Sequence, residues 1–204
     1  MSYDNPDFEV VAINDLGNIK NLAYLLEYDT VYGRAPYTVK AGEGVLIVDG
    51  KEVVCASEKE PQNLPWAKEN IDIVIESTGF FTSYEKAKAH LDAGAKRVVI
   101  SAPVKDEAGG KTVLMGVNEG DLDDCSITSN ASCTTNATSP LVGILNESIG
   151  IEKAILNTVH AYTASQALVD GPSKKDFREG RAAAQNIVPS STGAAIATTQ
   201  VHTS

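Results

Sequence analysis

The sequence predicts an α/β fold with a mainly parallel sheet, on the strength of two observations. Short apolar segments rich in Val and Ile recur along the first part of the chain: FEVVAIN (8–14), IDIVIES (71–77), RVVIS (97–101) and CSITSN (125–130). Segments with helical periodicity follow the first, the second and the fourth of them. Strands that alternate with helices form parallel sheets through crossover connections, and this pattern sets the fold class.

The first part of the chain combines one such unit with an antiparallel excursion. FEVVAIN is predicted as a buried strand because it is apolar and ends at a turn signal of Asn, Asp and Gly. The following helix carries its apolar residues roughly on one face: Ile19, Leu22, Leu25 and Leu26. Alternating stretches around YTVK, VLIVDG and EVVCAS then predict antiparallel strands, with a hairpin turn at Asp49 and Gly50.

The middle of the chain supplies the parallel strands. IDIVIES is predicted to be buried on both faces because its apolar run is continuous. A helix over 83–93 and the strand RVVIS follow it, and CSITSN then leads into a helix from about 133 to 147. That helix has an apolar face: Leu141, Val142, Leu145 and Ile149.

The last part of the chain changes character near residue 130. Residues 151–163 have a partly alternating pattern and are predicted as a longer strand, and polar segments rich in Gly, Pro, Ser and Lys follow. The change predicts two domains, 1–132 and 133–204.

Composition and charge exclude several classes of function. The 204 residues carry a formal net charge of −10, whereas a surface that binds nucleic acid needs clustered Lys and Arg. The longest apolar runs are only a few residues, so no membrane-spanning segment is predicted. The N-terminal MSYDNPDFE lacks the basic and apolar regions of a secretory signal, which makes the cytoplasm the expected location. A small anionic substrate remains compatible with the charge, because backbone N–H groups and local cations bind anions.

Cys133 is the first candidate for chemistry, because it stands among small polar residues in SNASCTTNATSPL, at the start of a predicted helix. Unpaired N–H groups at a helix start favour a thiolate, which is the nucleophilic form of cysteine, and the same groups bind an oxyanion. A cysteine in this position is also common as a small core residue. Cys55 and Cys125 fit that plainer interpretation, and three cysteines without a C-x-x-C motif form no fully paired disulfide framework.

His160 is the natural partner of a cysteine nucleophile, since a base of near-neutral pKa can hold a thiolate and move a proton. It lies 27 positions after Cys133, near the end of a predicted strand, where a purely structural histidine is the alternative. His90 and His202 lack a supporting context. The three histidines have no spacing that gathers them onto one ion, so no metal site is predicted.

Asp15 follows the first predicted strand. An acidic residue that ends the second strand of a dinucleotide-binding fold hydrogen-bonds the ribose, and a Gly-rich turn lies about 20 residues before it. That distance passes Met1, so on spacing alone Asp15 is a helix cap.

Eight motifs together closely resemble the phosphorylating glyceraldehyde-3-phosphate dehydrogenases. In order along essentially the whole chain, they are VAINDL (11–16), EYDTVYG (27–33), ESTGFFTS (76–83), VVISAP (98–103), SNASCTTN (129–136), VHAYTASQ (159–166), VDGPSKKD (169–176) and PSSTGAA (189–195). The resemblance implies that Cys133 attacks the aldehyde of glyceraldehyde 3-phosphate while His160 activates the thiol and takes the hydroxyl proton. Hydride then passes to NAD, and inorganic phosphate cleaves the thioester to give 1,3-bisphosphoglycerate.

The resemblance also implies roles for further residues. Asp15 is expected to hold the adenosine ribose and to favour NAD over NADP, and Lys59 lies at a basic position near the adenine. The cofactor cleft is lined by Thr78, Gly79 and Ser101. The substrate and phosphate residues are Ser132, Thr134, Thr163, Thr192 and Gly193, with Ser165 and Arg181 as assisting residues. Without the resemblance, each hydroxyl would be interpreted as a turn or cap residue.

The same resemblance implies an incomplete Rossmann-type NAD-binding domain, without the first strand and the Gly-rich turn, followed by the start of an α+β catalytic domain. The full-length form is expected to be a homotetramer. We therefore expect a truncated form of such a dehydrogenase, with weak NAD binding and little turnover if the 204 residues exist alone. Ala167 and Ile196 stand where relatives commonly have lysine, which removes positive charge near the phosphate sites.

Three alternative functions stay open from the sequence. The related erythrose-4-phosphate dehydrogenases share the nucleophile, the base and the fold. An inactive remnant that acts through binding or assembly is the alternative from another class. A cysteine hydrolase would leave Asp15 and the STG and SAP motifs unexplained.

Overall fold

The computed structural model describes residues 5–106, 108–174 and 176–202, which form two compact units. The first unit contains the described residues up to Lys111 together with Leu122–Ser129. The second contains Thr112–Asp121 and the described residues from Asn130 onwards. The predicted domains, 1–132 and 133–204, stay a prediction. Among the described residues, no helix combines the length and the apolar character needed to cross a bilayer.

A mixed four-stranded sheet opens the first unit. Its strands are β1 (Ala12–Asn14), β4 (Val39–Ala41), β5 (Val45–Val48) and β6 (Lys51–Ala56), in the spatial order β1-β6-β5-β4. Only the β1–β6 pair is parallel. Helix α1 (Ile19–Glu27) follows β1, and a small antiparallel pair, β2 (Tyr28–Asp29) with β3 (Gly33–Arg34), follows the helix. The predicted excursion and its hairpin are confirmed: Asp49 and Gly50 have φ of 46° and 83°, as a primed turn requires.

The predicted strand over 8–14 is too long. Only Ala12–Asn14 forms a ladder, in register with Val54–Ala56, and Phe8 and Val10 are exposed. β6 extends back to Lys51, and Val11 O accepts from Val54 N, but residues 8–11 form no ladder with β6. An apolar sequence alone does not make a strand, because its backbone groups must also pair with a neighbouring strand.

The second sheet is the predicted parallel one. Its strands are β7 (Ile73–Glu76), β8 (Arg97–Ile100), β9 (Lys111–Thr112) and β10 (Ile127–Ser129), in the order β7-β8-β10-β9. β7, β8 and β10 pair in parallel, and helix α2 (Tyr84–Asp92) connects β7 to β8. The α/β prediction is confirmed, with helix 83–93 and strand 97–101 within one residue of their predicted bounds.

The prediction that β7 is buried on both faces is wrong. Val74 and Glu76 are buried, whereas Ile73 and Ile75 on the other face are exposed. The buried face packs in a cluster with Leu64, Trp66, Val74, Ala93 and Ala95. Among the described residues, nothing covers the opposite face to the same extent.

The second unit is built around α3 (Cys133–Ile149) and α4 (Ala194–Val201). The helix predicted from 133 is confirmed, but its apolar face is largely exposed, at Leu141, Leu145 and Ile149. Its fully buried residues are instead small and polar, Thr135 and Ser139. Ser139 Oγ donates to Thr198 Oγ1 at 3.3 Å, so α3 meets α4 through small side chains. The sequence did not predict α4, because its Ala and Thr residues form no apolar stripe.

The strand predicted over 151–163 is not observed. None of these residues pairs with another described segment as a strand, and Ile155 and Val159 are 98% and 95% exposed. An alternating pattern indicates a strand only if a neighbouring strand accepts its backbone hydrogen bonds. His160 therefore lies in an irregular segment, and its position depends on side-chain contacts.

Candidate active site

Cys133 is the first residue of α3, and the preceding residues fix that start. Ser132 is the N-cap, with extended backbone angles, and its Oγ accepts a hydrogen bond from Thr135 N at 3.1 Å. Ala131 has φ of 53°, an unusual angle for a residue with a side chain, and is buried against Leu114 and Val201. This packing holds the turn that presents the exposed Cys133 side chain.

His160 contacts the thiol of Cys133 directly. The Sγ atom lies 3.1 Å from His160 Nε2, although 27 positions separate the two residues. The other ring nitrogen, Nδ1, lies 2.6 Å from the carbonyl oxygen of Ala161. Because a carbonyl only accepts, Nδ1 carries a proton and donates it, which leaves Nε2 facing the sulfur. The thiol can then donate to Nε2, or the imidazolium can donate to the thiolate.

The two groups shift each other's ionisation in the direction that favours an ion pair. The hydrogen bond from His160 lowers the pKa of Cys133 by more than burial raises it, and the N–H and the hydroxyl of Thr134 lower it further. The Ala161 carbonyl and the Cys133 sulfur raise the pKa of His160. Both shifts stabilise the thiolate beside the imidazolium over a range of pH.

Replacing Ser132 with alanine tests the cap that holds this geometry. We expect the first turn of α3 to lose about 1 kcal/mol, because the Thr135 N–H loses its acceptor. Hydrogen exchange of the Thr135 amide is the measurement, with Ser148→Ala in the exposed last turn of α3 as the matched control. Equal exchange at Thr135 in both variants would contradict the capping role.

The remaining substrate and phosphate candidates lie in the second unit, and apart from Thr134 none of them is hydrogen-bonded to the Cys133 sulfur. The Thr163 N–H donates to Gln166 Oε1 at 2.8 Å, and its hydroxyl lies 2.9 Å from that of Ser165. Thr192 Oγ1 accepts from Ala194 N at 3.1 Å, and Gly193 is the N-cap of α4. Neither Thr192 nor Gly193 hydrogen-bonds to Cys133 or His160. Their phosphate roles stay predictions.

Asp15 lies at the carboxyl end of β1 and is exposed. Its Oδ1 accepts from Gly17 N at 2.6 Å, whereas Asn18 caps α1, so the helix-cap interpretation of Asp15 is wrong. Asn14 exchanges two 2.9 Å hydrogen bonds with the main chain of Glu58. Those bonds hold the chain next to the exposed Lys59, which is the predicted basic residue near the adenine.

Thr78, Gly79 and Ser101 follow the carboxyl ends of β7 and β8, which are the usual ligand positions of a parallel sheet. Ser101 N donates to the main-chain oxygen of Glu76 at 2.9 Å, which joins the two strand ends. Gly79 has φ of 77°, a left-handed conformation that suits glycine. Its N–H donates to none of the described residues, so a ligand oxygen could accept from it.

The sequence missed one buried polar contact of this region. His90, for which the sequence offered no functional context, lies 2.9 Å from the Glu76 carboxylate, beneath the turn Thr78–Phe80 that follows β7. A partner 14 positions away across a strand–helix connection leaves no local pattern. Within the described ranges, no three His, Cys, Asp or Glu side chains are arranged to hold a metal ion.

An exposed cysteine at a helix start whose sulfur contacts an imidazole is the arrangement of enzymes that act through a cysteine nucleophile. The family described as "Glyceraldehyde 3-phosphate dehydrogenase, NAD binding domain" matches residues 1–84. The one described as "Glyceraldehyde 3-phosphate dehydrogenase, C-terminal domain" matches residues 132–204. The chain belongs to the glyceraldehyde-3-phosphate dehydrogenase family.

Curated relatives agree with this assignment. The chain is 53% identical over 195 residues to glyceraldehyde-3-phosphate dehydrogenase 1 of Trichormus variabilis, which covers 94% of the chain and 57% of the relative. It is 51% identical over 198 residues to glyceraldehyde-3-phosphate dehydrogenase of Clostridium pasteurianum, and the match covers 96% of the chain and 59% of the relative. The cytosolic enzyme of Trypanosoma brucei brucei is 50% identical over 189 residues, covering 93% and 56%. The chain thus spans less than three fifths of each relative.

Proposed function

We propose that this chain carries the reactive centre of an NAD-dependent dehydrogenase that converts glyceraldehyde 3-phosphate and inorganic phosphate to 1,3-bisphosphoglycerate. The observation that carries the proposal is the 3.1 Å contact between Cys133 Sγ and His160 Nε2 at the start of α3. Membership of the family supplies the substrate class. The relatives' names do not favour erythrose-4-phosphate dehydrogenase, and the paired thiol argues against an inactive remnant.

Covalent bond formation starts at the Cys133 thiolate. The sulfur attacks the aldehyde carbon, the carbonyl electron pair moves to oxygen, and the His160 imidazolium supplies a proton from Nε2 to give a thiohemiacetal. The N–H groups of the first turn of α3 favour the negative charge that develops on oxygen. Every step to this point uses groups that lie in the second unit.

Oxidation then requires a base and a hydride acceptor. His160 Nε2 takes the hydroxyl proton back as the carbonyl re-forms, which leaves a thioester on Cys133. Bound NAD supplies the acceptor of the hydride. Phosphate attacks the thioester carbon, the C–S bond breaks, and the thiolate leaves with its electron pair. A low pKa of Cys133 favours that departure.

The first unit supplies groups that fit a dinucleotide. Asp15 is exposed, and its Oδ2 forms no hydrogen bond with any described residue, so it can accept from both ribose hydroxyls. Gly79 offers a free N–H at the end of β7, and Lys59 is an exposed cation beside the Asn14–Glu58 contact. We infer on this basis that Asp15, Lys59, Thr78, Gly79 and Ser101 hold NAD.

Location and assembly complete the proposal. A cytoplasmic location is supported by the relative of Trypanosoma brucei brucei, whose name describes it as cytosolic. A homotetramer in the full-length form, and a place in glycolysis, rest on the family alone. Size-exclusion chromatography with light scattering measures the assembly.

Trapping of the thioester tests the proposed chemistry. Incubation with glyceraldehyde 3-phosphate and NAD, without phosphate, is expected to leave a 3-phosphoglyceroyl group on the Cys133 peptide in mass spectra. Added phosphate should release it. Cys133→Ser is the matched control, and the Cys55 and Cys125 peptides should stay unmodified. An adduct on all three cysteines, or none on Cys133, would contradict the proposal, and the same experiment with erythrose 4-phosphate measures substrate preference.

A further inference from the structure

A buried polar chain lies beneath the turn that follows β7. Trp66 Nε1 lies 3.1 Å from His90 Nδ1, and His90 Nε2 lies 2.9 Å from Glu76 Oε2. The three residues are 5%, 4% and 3% exposed, respectively. They belong to different elements: Trp66 precedes β7, His90 is in the last turn of α2, and Glu76 ends β7. The cysteine chemistry above uses none of them.

The donors and acceptors of this chain fit one protonation pattern. The indole N–H of Trp66 only donates, so His90 Nδ1 accepts and the ring proton lies on Nε2. Nε2–H then donates to Glu76 Oε2, which leaves Oε1 for other donors. Burial acts to raise the pKa of Glu76, but the hydrogen bonds from His90 and Thr78 outweigh it and lower the pKa. Glu76 is therefore a buried carboxylate with every oxygen occupied.

The second oxygen of Glu76 holds the Thr78 turn. Oε1 accepts from the Thr78 N–H at 2.7 Å and from the Thr78 hydroxyl. That hydroxyl in turn accepts from Phe80 N at 3.1 Å, and Gly79 between them adopts φ of 77°. The main-chain oxygen of Glu76 accepts from Ser101 N. The Glu76 carboxylate thus holds the turn Thr78–Phe80, whereas Ser101 is joined to Glu76 only through the main chain.

The cost of this arrangement argues for a role beyond packing. A buried carboxylate needs its charge compensated by well-placed hydrogen bonds, and apolar residues of similar size often replace such groups without loss of stability. The neighbouring cluster of Leu64, Val74, Ala93 and Ala95 is apolar. A buried carboxylate at this position is explained if it orients groups at the surface. The hydrogen bonds of Glu76 do lead to the surface, at the exposed turn that begins with Thr78.

We propose that Glu76, His90 and Trp66 form a positioning network that holds the Thr78–Phe80 turn in the conformation that receives the dinucleotide. The proposal rests on the cofactor assignment of the proposed function. Glu76 orients the turn, His90 fixes which Glu76 oxygen faces it, and Trp66 fixes the tautomer of His90. The three act through Thr78 and through Gly79 in the same turn.

Three substitutions separate positioning from packing. Glu76→Gln places an amide N–H₂ against His90 Nε2–H, or turns it toward the Thr78 donors, so two donors meet in either orientation. His90→Leu keeps the apolar volume but removes the donor to Glu76. His90→Gln keeps one acceptor for Trp66 and one donor for Glu76, and it should preserve the network. Glu52→Gln, at an exposed carboxylate of β6, is the matched control.

Hydrogen exchange of the unliganded chain and calorimetric titration with NAD are the two measurements. Glu76→Gln and His90→Leu are expected to speed exchange at the Thr78 and Phe80 amides and to weaken NAD binding by roughly 10-fold, the effect of a lost charged hydrogen bond. His90→Gln and Glu52→Gln should stay within about threefold of the unsubstituted chain. Retained protection of the Val74 and Val99 amides shows that each variant is folded.

The outcomes distinguish the network from the cofactor assignment. Unchanged hydrogen exchange at the Thr78 and Phe80 amides in Glu76→Gln would overturn the network. It would also be overturned if Glu76→Gln and His90→Leu bound NAD as tightly as the unsubstituted chain. Equal losses of NAD affinity in His90→Gln and His90→Leu would show that the two hydrogen bonds of His90 do not account for the effect. That result would also overturn the network. If the unsubstituted chain does not bind NAD, the cofactor assignment is overturned, and so is NAD as the ligand of this turn. That conclusion holds whatever the hydrogen-exchange data show.

Discussion

Replacement of Trp66 by alanine is expected to lower the free energy of unfolding of the first unit by about 3–5 kcal/mol. Trp66 is buried in the cluster that covers the inner face of β7, so truncation leaves a cavity. It also removes the donor to His90 Nδ1, which leaves that buried atom without a partner among the described residues. Urea unfolding followed by circular dichroism measures the change.

Two further variants make this result specific. Tyr32→Ala removes an aromatic ring that is 85% exposed, and its effect should lie within about 0.5 kcal/mol. Trp66→Phe retains most of the apolar volume and loses the N–H, so an intermediate loss is expected. A Trp66→Ala variant as stable as Tyr32→Ala would contradict the packing described for the first unit.

Replacement of His160 by glutamine is expected to slow alkylation of Cys133 at pH 7 by about 10- to 30-fold. His160 lowers the pKa of the thiol, and without it the pKa returns toward its ordinary value, where only a few per cent is thiolate at pH 7. Iodoacetamide labelling followed by mass spectrometry of the Cys133 peptide gives the rate.

The pH dependence gives the sign of this effect. A lowered thiol pKa keeps the thiolate present at pH values where an ordinary cysteine is protonated, so the two rates should differ most near neutral pH. They should converge above the ordinary cysteine pKa, where both thiols are ionised. His202→Gln is the matched control, since that ring contacts the Ser139 carbonyl in the same unit. Equal rates for His160→Gln and the unsubstituted chain at pH 7 would contradict the ion pair.

Local chemistry made part of this site predictable. Cys133 follows an N-cap serine, and helix starts of this kind have a sequence signature, so the helix and the place of Cys133 at its start were both predictable. The hairpin at Asp49 and Gly50 was predictable for the same reason, because left-handed angles demand those residue types. The pairing of Cys133 with His160 came from chemical complementarity and family resemblance, since no pattern encodes a contact across 27 positions.

The failures share one cause, which is that burial and pairing depend on neighbours the local sequence does not specify. Residues 151–163 alternate like a strand, but no described segment pairs with them. Ile73 and Ile75 resemble buried residues, yet they lie on the open face of β7. The contact of His90 with Glu76 depends on the packing of α2 beside β7, which the local sequence does not specify. The predicted phosphate residues Thr192 and Gly193 stay predictions, because neither bonds to Cys133 or His160.

The relative reactivity of the three cysteines at pH 7 tests the central claim most directly. Cys133 is exposed, with a pKa lowered by His160, whereas burial raises the pKa of Cys55 and Cys125 is half-buried. Labelling the folded chain with iodoacetamide and timing each peptide is expected to show Cys133 reacting at least about 10-fold faster than either of the others. Equal, slow rates at all three cysteines would contradict a reactive centre at Cys133.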